Sequence, residues 1–328
     1  MSKKIKIAVV GATGAVGRTA ISVLNEKKID AEYILFANEN GVGTKIEIVG
    51  KEWTVQKLTE QAVATYSPNY ALFCAGSTVS QGFAKHFNTV GCKVIDNSSL
   101  FRRDQSVPLV VPEVNMDAID KSHNIIANPN CIAVPATVVL KPLQSRYGVK
   151  RVVCSTYQAV SGAGIKGVND LKSGQKHTHF PHPIVDNVIP HIDVFLDNGT
   201  TGEEDKIMFE IKKVLKMPNL SISVTSVRVP ILNCHSLSLN IELDKDFDID
   251  DIKNLLSASD GIVLADDTAN KVYPMPYVAN GKDQVFVGRV RRDESKANTL
   301  NLFITADNLR KGAATNAVQI LEKLLKQI

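Results

Sequence analysis

The chain is poor in cysteine and has no closely spaced pair of cysteines. Its 328 residues contain five cysteines, and none of them forms a Cys-x-x-Cys motif. An odd number of thiols in a long chain argues against a disulfide framework, and the missing pairs argue against the common zinc motifs. We therefore expect no metal centre. The thiols of Cys74, Cys92 and Cys154 are interpreted as small buried apolar side chains.

Long apolar runs and dense positive charge are also missing. The first apolar run, Ile5–Val10, is too short for a signal peptide or a membrane span, and no other run approaches about eighteen residues. Charged residues make up 22% of the chain, the net charge is only +4, and no Lys/Arg run is dense enough for nucleic acid. These absences predict a cytoplasmic protein that acts on small molecules, without a membrane or a nucleic acid as partner.

The first part of the chain alternates short apolar strands with helices. Ile5–Val10 is typical of a buried strand and Ala15–Glu26 of an amphipathic helix. The same pattern continues in the strand candidates Tyr33–Ala37, Ala71–Ala75, Lys93–Asn97 and Ile125–Ala127. Such alternation implies a parallel sheet with right-handed crossovers. We therefore predict an α/β fold whose first domain is a doubly wound parallel sheet.

The second half has longer strand candidates. Ser236–Leu243 alternates polar and apolar residues, which suits a sheet with one covered face. Ser173–Gly202, rich in Pro, His, Asp and Asn, is predicted to be a surface excursion; its histidines offer a metal site only as a disfavoured alternative. Ala313–Gln327 is predicted to be an amphipathic helix. The predicted domains are residues 1–127 plus 309–328, and an α+β domain at residues 128–308.

A glycine-rich turn joins the first strand to the first helix, with the sequence Gly11-Ala12-Thr13-Gly14-Ala15-Val16-Gly17. Glycines lack Cβ atoms, so a pyrophosphate can reach the backbone amides at the helix N-terminus. Because the turn lies between a strand and a helix, we predict a Rossmann-type dinucleotide site, with a turn that binds no ligand as the alternative. The predicted cofactor-binding residues here are Gly11, Thr13, Gly14, Ala15 and Val16.

Glu39, just after the second strand, bears on the choice between NAD and NADP. A carboxylate at this position accepts hydrogen bonds from a ribose 2′-hydroxyl and repels a 2′-phosphate. Glu39 therefore favours NAD, unless it is only a solvated loop charge. Arg18 and Lys45 are the alternative phosphate partners.

Cys131 stands in the sequence Asn128-Pro129-Asn130-Cys131, between a strand end and an apolar helix. A thiol at a helix N-terminus is acidified by the backbone amides and the helix dipole. The same amides stabilise an oxyanion formed by attack at an acyl carbon. An isolated cysteine would be interpreted as a core thiol, but this position and frame favour a nucleophile.

The chain resembles the bacterial-type aspartate-semialdehyde dehydrogenases over nearly its whole length. Asn128–Cys131 resembles the active-site cysteine motif of that family, and Thr156–Gly164 resembles its glutamine and nicotinamide-side segment. The other segments that resemble motifs of the family are Asn97–Arg102, Glu203–Lys206, Arg228–Pro230, Cys234–Ser236 and Ala313–Ala317. Several separate motifs in the right order are more specific than any one of them.

The resemblance implies reductive dephosphorylation of 4-aspartyl phosphate to aspartate semialdehyde, in the lysine, threonine and methionine biosynthetic branch, by an oxidoreductase that uses NADP. Cys131 would be the nucleophile, His235 an acid/base with a pKa near neutrality, and Gln158 the orienting group. The implied substrate contacts are Arg228 for the carboxylate, Glu203 for the amine, and Lys206, Arg102 and Asn130 for the phosphate. The implied nicotinamide-side contacts are Ser161, Gly162 and Asn316. A homodimer formed through the second domain is also implied.

The sequence differs from the family pattern at position 39, and three alternative functions stay open. Where the family carries an arginine for the 2′-phosphate, this chain has Glu39, so NAD stays possible. Glyceraldehyde-3-phosphate dehydrogenases have a different cysteine motif, and N-acetyl-glutamyl-phosphate reductases lack the Glu203 and Lys206 element. A non-catalytic nucleotide-binding paralogue is the third alternative, disfavoured because the nucleophile and base are both present.

Overall fold

The structure is a computed structural model that describes residues 4–174 and 176–326. Gln327, the last residue of the predicted C-terminal helix, lies outside this part. The chain forms two compact units. The first contains the residues up to Pro129 together with those from Ala313 onward, and the second is Asn130–Gly312. The second unit is therefore inserted between two parts of the first.

The strands are, in chain order, β1 Lys6–Val10, β2 Glu32–Ala37, β3 Lys45–Ile48, β4 Lys51–Thr54, β5 Gln56–Lys57, β6 Tyr70–Phe73, β7 Lys93–Asp96, β8 Ile125–Ala127, β9 Val149–Gln158, β10 Ser221–Arg228, β11 His235–Leu243, β12 Ile262–Leu264, β13 Val285–Arg292 and β14 Thr299–Ala306. The helices are α1 Ala15–Glu26, α2 Glu60–Tyr66, α3 Ser77–Thr89, α4 Pro112–Asn115, α5 Ala133–Tyr147, α6 Gly164–Lys172, α7 Gly202–Leu215, α8 Ile249–Ser257, α9 Pro276–Ala279 and α10 Thr315–Leu325. These bounds confirm the existence and type of the predicted elements, with shifts of a few residues at their ends.

The first unit contains a six-stranded parallel sheet in the order β5-β2-β1-β6-β7-β8. Its central strands β1 and β6 are mostly apolar because helices cover both faces. Along β1, Ile7 and Val9 pack into one apolar cluster with α1 and α10, whereas Ala8 and Val10 pack into another with α2 and α3. The predicted doubly wound sheet is confirmed.

The second unit contains a mixed six-stranded sheet in the order β10-β9-β11-β14-β13-β12. Strands β9 and β10 are parallel, whereas β11 is antiparallel to both β9 and β14. Along β11, the buried residues Leu237, Leu239, Ile241 and Leu243 alternate with half-buried ones. Helices α5, α7 and α8 contact strands of this sheet. The predicted α+β character of this part is confirmed.

Between α6 and α7, the described residues of the predicted excursion form no helix or strand. The excursion is nevertheless fastened to the unit. Both carboxylate oxygens of the buried Asp170 accept backbone N–H groups, those of Thr178, His179 and Phe180, each at 2.9 Å. These contacts bring the Phe180 ring into a small apolar cluster with Val160.

No helix in residues 4–174 and 176–326 has both the length and the apolar character needed to cross a membrane.

Candidate active site

Three strands of the second sheet bring polar residues to one end of that sheet. Gln158 and Arg228 are the last residues of the parallel strands β9 and β10 and are register partners. His235 is the first residue of β11, which runs antiparallel to β9. Their exposed fractions are 2%, 5% and 0%, respectively. Buried polar groups of this kind need partners from the protein or from a ligand.

Cys131 lies in a turn that Asn130 fixes immediately before α5. The Asn130 side-chain oxygen accepts the Ile132 N–H at 2.8 Å, and the Asn130 carbonyl oxygen accepts the Val134 N–H at 3.0 Å. The Cys131 side chain is half-buried. A Cβ atom at Gly312 would lie 2.9 Å from the Cys131 Cβ, so glycine permits the close approach of that segment. The thiol therefore has the helix-start position that the sequence predicted.

Glu203, in the first turn of α7, joins the cysteine turn to the end of β9. One carboxylate oxygen accepts from Asn130 Nδ2 at 3.0 Å and from Gln158 Nε2 at 3.4 Å. The other lies 3.1 Å from the Lys206 ammonium, which also contacts Asp193 at 2.8 Å. Burial lowers the pKa of Lys206, but the two carboxylates outweigh burial and raise it. The ammonium is therefore held in its charged form.

Glu204, the neighbour of Glu203, has a structural task. Its side chain accepts the Thr201 N–H at 2.7 Å, while Thr201 Oγ1 accepts the Glu204 N–H, which completes a capping box at the start of α7. The same carboxylate accepts the Ser226 N–H in β10 at 2.8 Å. Glu204 thus anchors the helix to the sheet, and Glu203 is left to face the cysteine turn.

Arg228 offers an incompletely used guanidinium. Its Nη1 donates to the Ala159 carbonyl oxygen at 2.7 Å, whereas its buried Nε has no hydrogen-bond partner in the described part of the chain. The Phe180 ring centroid lies 5.9 Å from Cζ. Burial lowers the pKa of Arg228, and the charges of Glu203 and Cys131 oppose that effect. A buried guanidinium with open N–H groups suits a planar carboxylate.

His235 is held in one tautomer. Its Nδ1 lies 3.0 Å from the Ala159 amide nitrogen, which donates to it, so the neutral ring carries its proton on Nε2. The buried Nε2 has no hydrogen-bond partner among the described residues. Burial, followed by the charge of Arg228, lowers the pKa of His235 to about 3. The near-neutral pKa expected from the sequence is therefore corrected: the imidazole is neutral and presents Nε2–H as a donor.

Several groups that hold this site in place could not be recognised from the sequence. The Ala159 backbone serves both Arg228 and His235, and backbone contacts do not depend on side-chain identity. A Cβ at Gly162 would lie 3.0 Å from Arg228 Nη1 and from His235 Cε1. Asn308 accepts the N–H of Cys234, whose φ is +73°, and donates to Ser161 Oγ at 3.0 Å. Gly162 and Ser161 thus border the histidine, and their predicted cofactor contacts stay predictions.

The first unit contains a cavity of about 520 Å³ at the end of β1. It is lined by Gly11, Thr13, Gly14, Asn38, Glu39, Lys57 and Cys74, among others. A Cβ at Gly11, where φ is +88°, would lie 2.9 Å from the Cys74 backbone. Gly14 is the N-cap of α1 and offers no side-chain cap, so the first amides of this helix stay open to an anion. The predicted Ala15 and Val16 form the first turn of α1, and the whole arrangement fits a dinucleotide phosphate.

The remaining predicted site residues of the first unit have protein partners. Arg102 is buried, and its Nη2 donates to the Asn97 carbonyl oxygen at 2.8 Å. Asn316, also buried, donates to the Val110 carbonyl oxygen at 2.9 Å and to Asn128 Oδ1 at 2.7 Å. Their roles toward phosphate and nicotinamide stay predictions.

Two of the three cysteines that were predicted to be buried are buried. Cys92 and Cys154 are buried as predicted, but Cys74 is half-buried and lines the cavity of the first unit. Among the described residues, no group of three or more His, Cys, Asp or Glu side chains could hold a metal ion.

Two family descriptions match the two parts of the chain. Residues 6–122 match "Semialdehyde dehydrogenase, NAD binding domain", and residues 140–311 match "Semialdehyde dehydrogenase, dimerisation domain". The aspartate-semialdehyde dehydrogenase of Aquifex aeolicus is 44% identical over 98% of both chains, and that of Bacillus subtilis is 42% identical over 99% of both. The crystal structure of aspartate semialdehyde dehydrogenase II from Vibrio cholerae has a TM-score of 0.93 at 39% identity, covering 99% of both chains. The same enzyme is also known in a complex with ASA, with the same similarity.

Proposed function

The chain belongs to the aspartate-semialdehyde dehydrogenase family, and from that premise we propose that it forms aspartate semialdehyde through a thioester on Cys131. The observation that carries the proposal is the arrangement in the second unit. Arg228 and His235 are buried with unused donors, and Glu203 ties the Cys131 turn to Gln158. Each of these groups corresponds to one need of the reaction.

In the first step, the Cys131 sulfur attacks the acyl carbon of 4-aspartyl phosphate. The C–S bond forms, the C–O bond to phosphate breaks, and the thiol proton leaves with the phosphate. The Ala133 N–H at the start of α5 is the proposed donor to the charged acyl oxygen, because the Ile132 and Val134 amides already donate to Asn130. Arg228 holds the α-carboxylate, and Glu203 faces the amine. Asn130, Lys206 and Arg102 are the proposed phosphate contacts.

A reduced nicotinamide, when bound, supplies the hydride that converts the thioester carbon to the aldehyde oxidation level. During this step His235 donates a hydrogen bond from Nε2 to the charged oxygen, and Gln158 orients that oxygen. The oxygen then re-forms its double bond, the C–S bond breaks, and Cys131 leaves as a thiolate that takes up a proton from solvent to restore the starting thiol. Because Nδ1 already accepts from the Ala159 amide and burial makes the imidazole a weak base, His235 acts here as a donor and takes no proton from the thiol.

The direct test of this proposal is the reverse reaction with purified protein. Aspartate semialdehyde, NADP⁺ and inorganic phosphate are expected to yield reduced nicotinamide, and the steady-state rate should fall to background when phosphate is omitted. N-acetyl-glutamate semialdehyde serves as the competing substrate. A protein that prefers that aldehyde is an N-acetyl-glutamyl-phosphate-type reductase, and a protein that binds nucleotide without turnover is a non-catalytic paralogue.

NADP is the proposed cofactor, and Glu39 is the proposed reason that NAD is also accepted. Glu39→Arg is expected to raise the preference for NADPH over NADH, as a ratio of kcat/KM values, by about tenfold. The substitution replaces a carboxylate that repels the 2′-phosphate with a guanidinium that donates hydrogen bonds to it. Glu52→Arg is a matched control, since Glu52 is also exposed and paired with a lysine but does not line the cavity. An unchanged ratio in Glu39→Arg would show that Glu39 does not discriminate.

We also propose that two chains pair through the open face of the second sheet. A pocket of about 430 Å³ there is lined by Tyr157, Val229, Tyr273, Met275 and Phe303, together with other residues. An apolar surface of this kind is typical of an interface. Phe303→Asp should convert a dimer into a monomer in sedimentation velocity, because it introduces a charge into a buried contact. Val42→Asp, at an exposed position of the first unit, should stay dimeric. A wild-type monomer at micromolar concentration would overturn this proposal.

A further inference from the structure

Glu39 is not the only charged group at the rim of the nucleotide cavity. The Lys57 ammonium lies 2.5 Å from a Glu39 carboxylate oxygen, and both side chains line the cavity beside Asn38. The position of Lys57 is fixed by the sheet, because β5 pairs in parallel with β2 and places Lys57 opposite Ala37. The negative charge of the carboxylate that argues against NADP is therefore partly offset by an adjacent cation.

This ion pair can exchange partners at little cost. The side chains of Glu39 and Lys57 are 78% and 57% exposed, and a pair so well hydrated contributes little to stability. A phosphate monoester carries more negative charge than a carboxylate and offers three acceptor oxygens. The Lys57 ammonium therefore interacts more strongly with a phosphate than with the Glu39 carboxylate.

We propose that Lys57 is the residue that binds the adenosine 2′-phosphate of NADP, releasing Glu39 to solvent when it does so. With NAD, the pair stays intact and Glu39 accepts a hydrogen bond from the ribose 2′-hydroxyl. One ion pair would thus accommodate both nucleotides. The inference rests on the proposed nucleotide function of this cavity and adds the residue that contacts the 2′-phosphate.

The other basic candidates are less well placed. Lys45 pairs with Glu52 at 2.8 Å, and it is not among the residues that line the cavity. Arg18 Nε donates to the Thr13 carbonyl oxygen at 3.0 Å, and Arg18 does not line the cavity either. Lys57 is the basic residue whose ammonium lies directly beside Glu39.

The test measures equilibrium binding without substrate or turnover. Isothermal titration calorimetry compares 2′,5′-ADP, which carries the 2′-phosphate, with 5′-AMP, which lacks it. Lys57→Gln is expected to weaken 2′,5′-ADP binding by about tenfold and to change 5′-AMP binding by less than about twofold. Lys57→Arg should retain most of the affinity for 2′,5′-ADP, and Lys45→Gln should bind both probes as the wild type does.

Two results would overturn the inference. If Lys57→Gln weakened the binding of 2′,5′-ADP and of 5′-AMP equally, Lys57 would support the structure of the cavity and would not bind the 2′-phosphate. If the binding of neither probe weakened, Lys57 would not belong to the phosphate site. The outcome is separate from the fate of the proposed reaction. If Lys57→Gln behaves as expected but the wild-type protein shows no phosphate-dependent turnover, the catalytic proposal fails and the nucleotide assignment stands.

Discussion

Replacing Cys131 with alanine is expected to lower kcat/KM for aspartate semialdehyde by roughly 10⁵-fold, as the loss of a covalent nucleophile does in other enzymes. The thioester cannot form without the sulfur, and no other described cysteine combines a half-buried thiol with a helix N-terminus. Steady-state kinetics with NADP⁺ and phosphate measure the loss. Activity within about tenfold of the wild type would contradict covalent catalysis at this residue.

Two controls separate lost chemistry from lost structure. Cys131→Ala should retain wild-type affinity for 2′,5′-ADP and a wild-type thermal unfolding midpoint, because the nucleotide cavity lies in the other unit and the thiol is half-buried. Cys92→Ala removes a fully buried thiol of the first unit. It should retain most of the activity even if its stability falls.

Arg228→Lys is expected to lower kcat/KM by about 10³-fold, mostly through a higher KM, although the positive charge is retained. A lysine ammonium cannot donate to the Ala159 carbonyl oxygen and also form the two parallel hydrogen bonds that a guanidinium makes with a carboxylate. The substrate α-carboxylate would then be buried with incomplete partners, which is costly.

A substrate that lacks the α-carboxylate provides the internal check. With 3-aminopropanal, the wild type should already be slow, and Arg228→Lys should slow it by much less than it slows aspartate semialdehyde. A loss of the same size with both aldehydes would show that Arg228 supports the fold and does not bind the carboxylate. Arg228→Met should in addition raise the pKa of His235, because the guanidinium charge helps to lower that pKa.

The parts of the fold that could be predicted from the sequence depend on local patterns. After Lys6, β1 is apolar because both its faces are covered, and Ser236–Leu243 alternates because its two faces differ in burial. The position of Cys131 at the start of α5 could be predicted in the same way, from the strand end before it and the apolar helix after it.

What could not be predicted depends on contacts between distant segments. Lys57 lies beside Glu39 because β5 returns to pair with β2 after the β3–β4 hairpin, and no local pattern encodes that return. The low pKa of His235 arises from burial and from the charge of Arg228, and the local sequence around position 235 reveals neither of them. The distinct tasks of Glu203 and Glu204 follow from which of them points toward β10.

Acylation of Cys131 during turnover is the step on which the proposed mechanism depends. Mixing the protein with aspartate semialdehyde and NADP⁺ without phosphate should trap the thioester, since the acceptor that releases it is absent. After acid quenching and digestion, mass spectrometry should find an aspartyl adduct on the peptide that contains Cys131, formed together with a burst of one reduced nicotinamide per active site and removed by hydroxylamine. A burst without that adduct, or with the adduct on another cysteine, would contradict the mechanism.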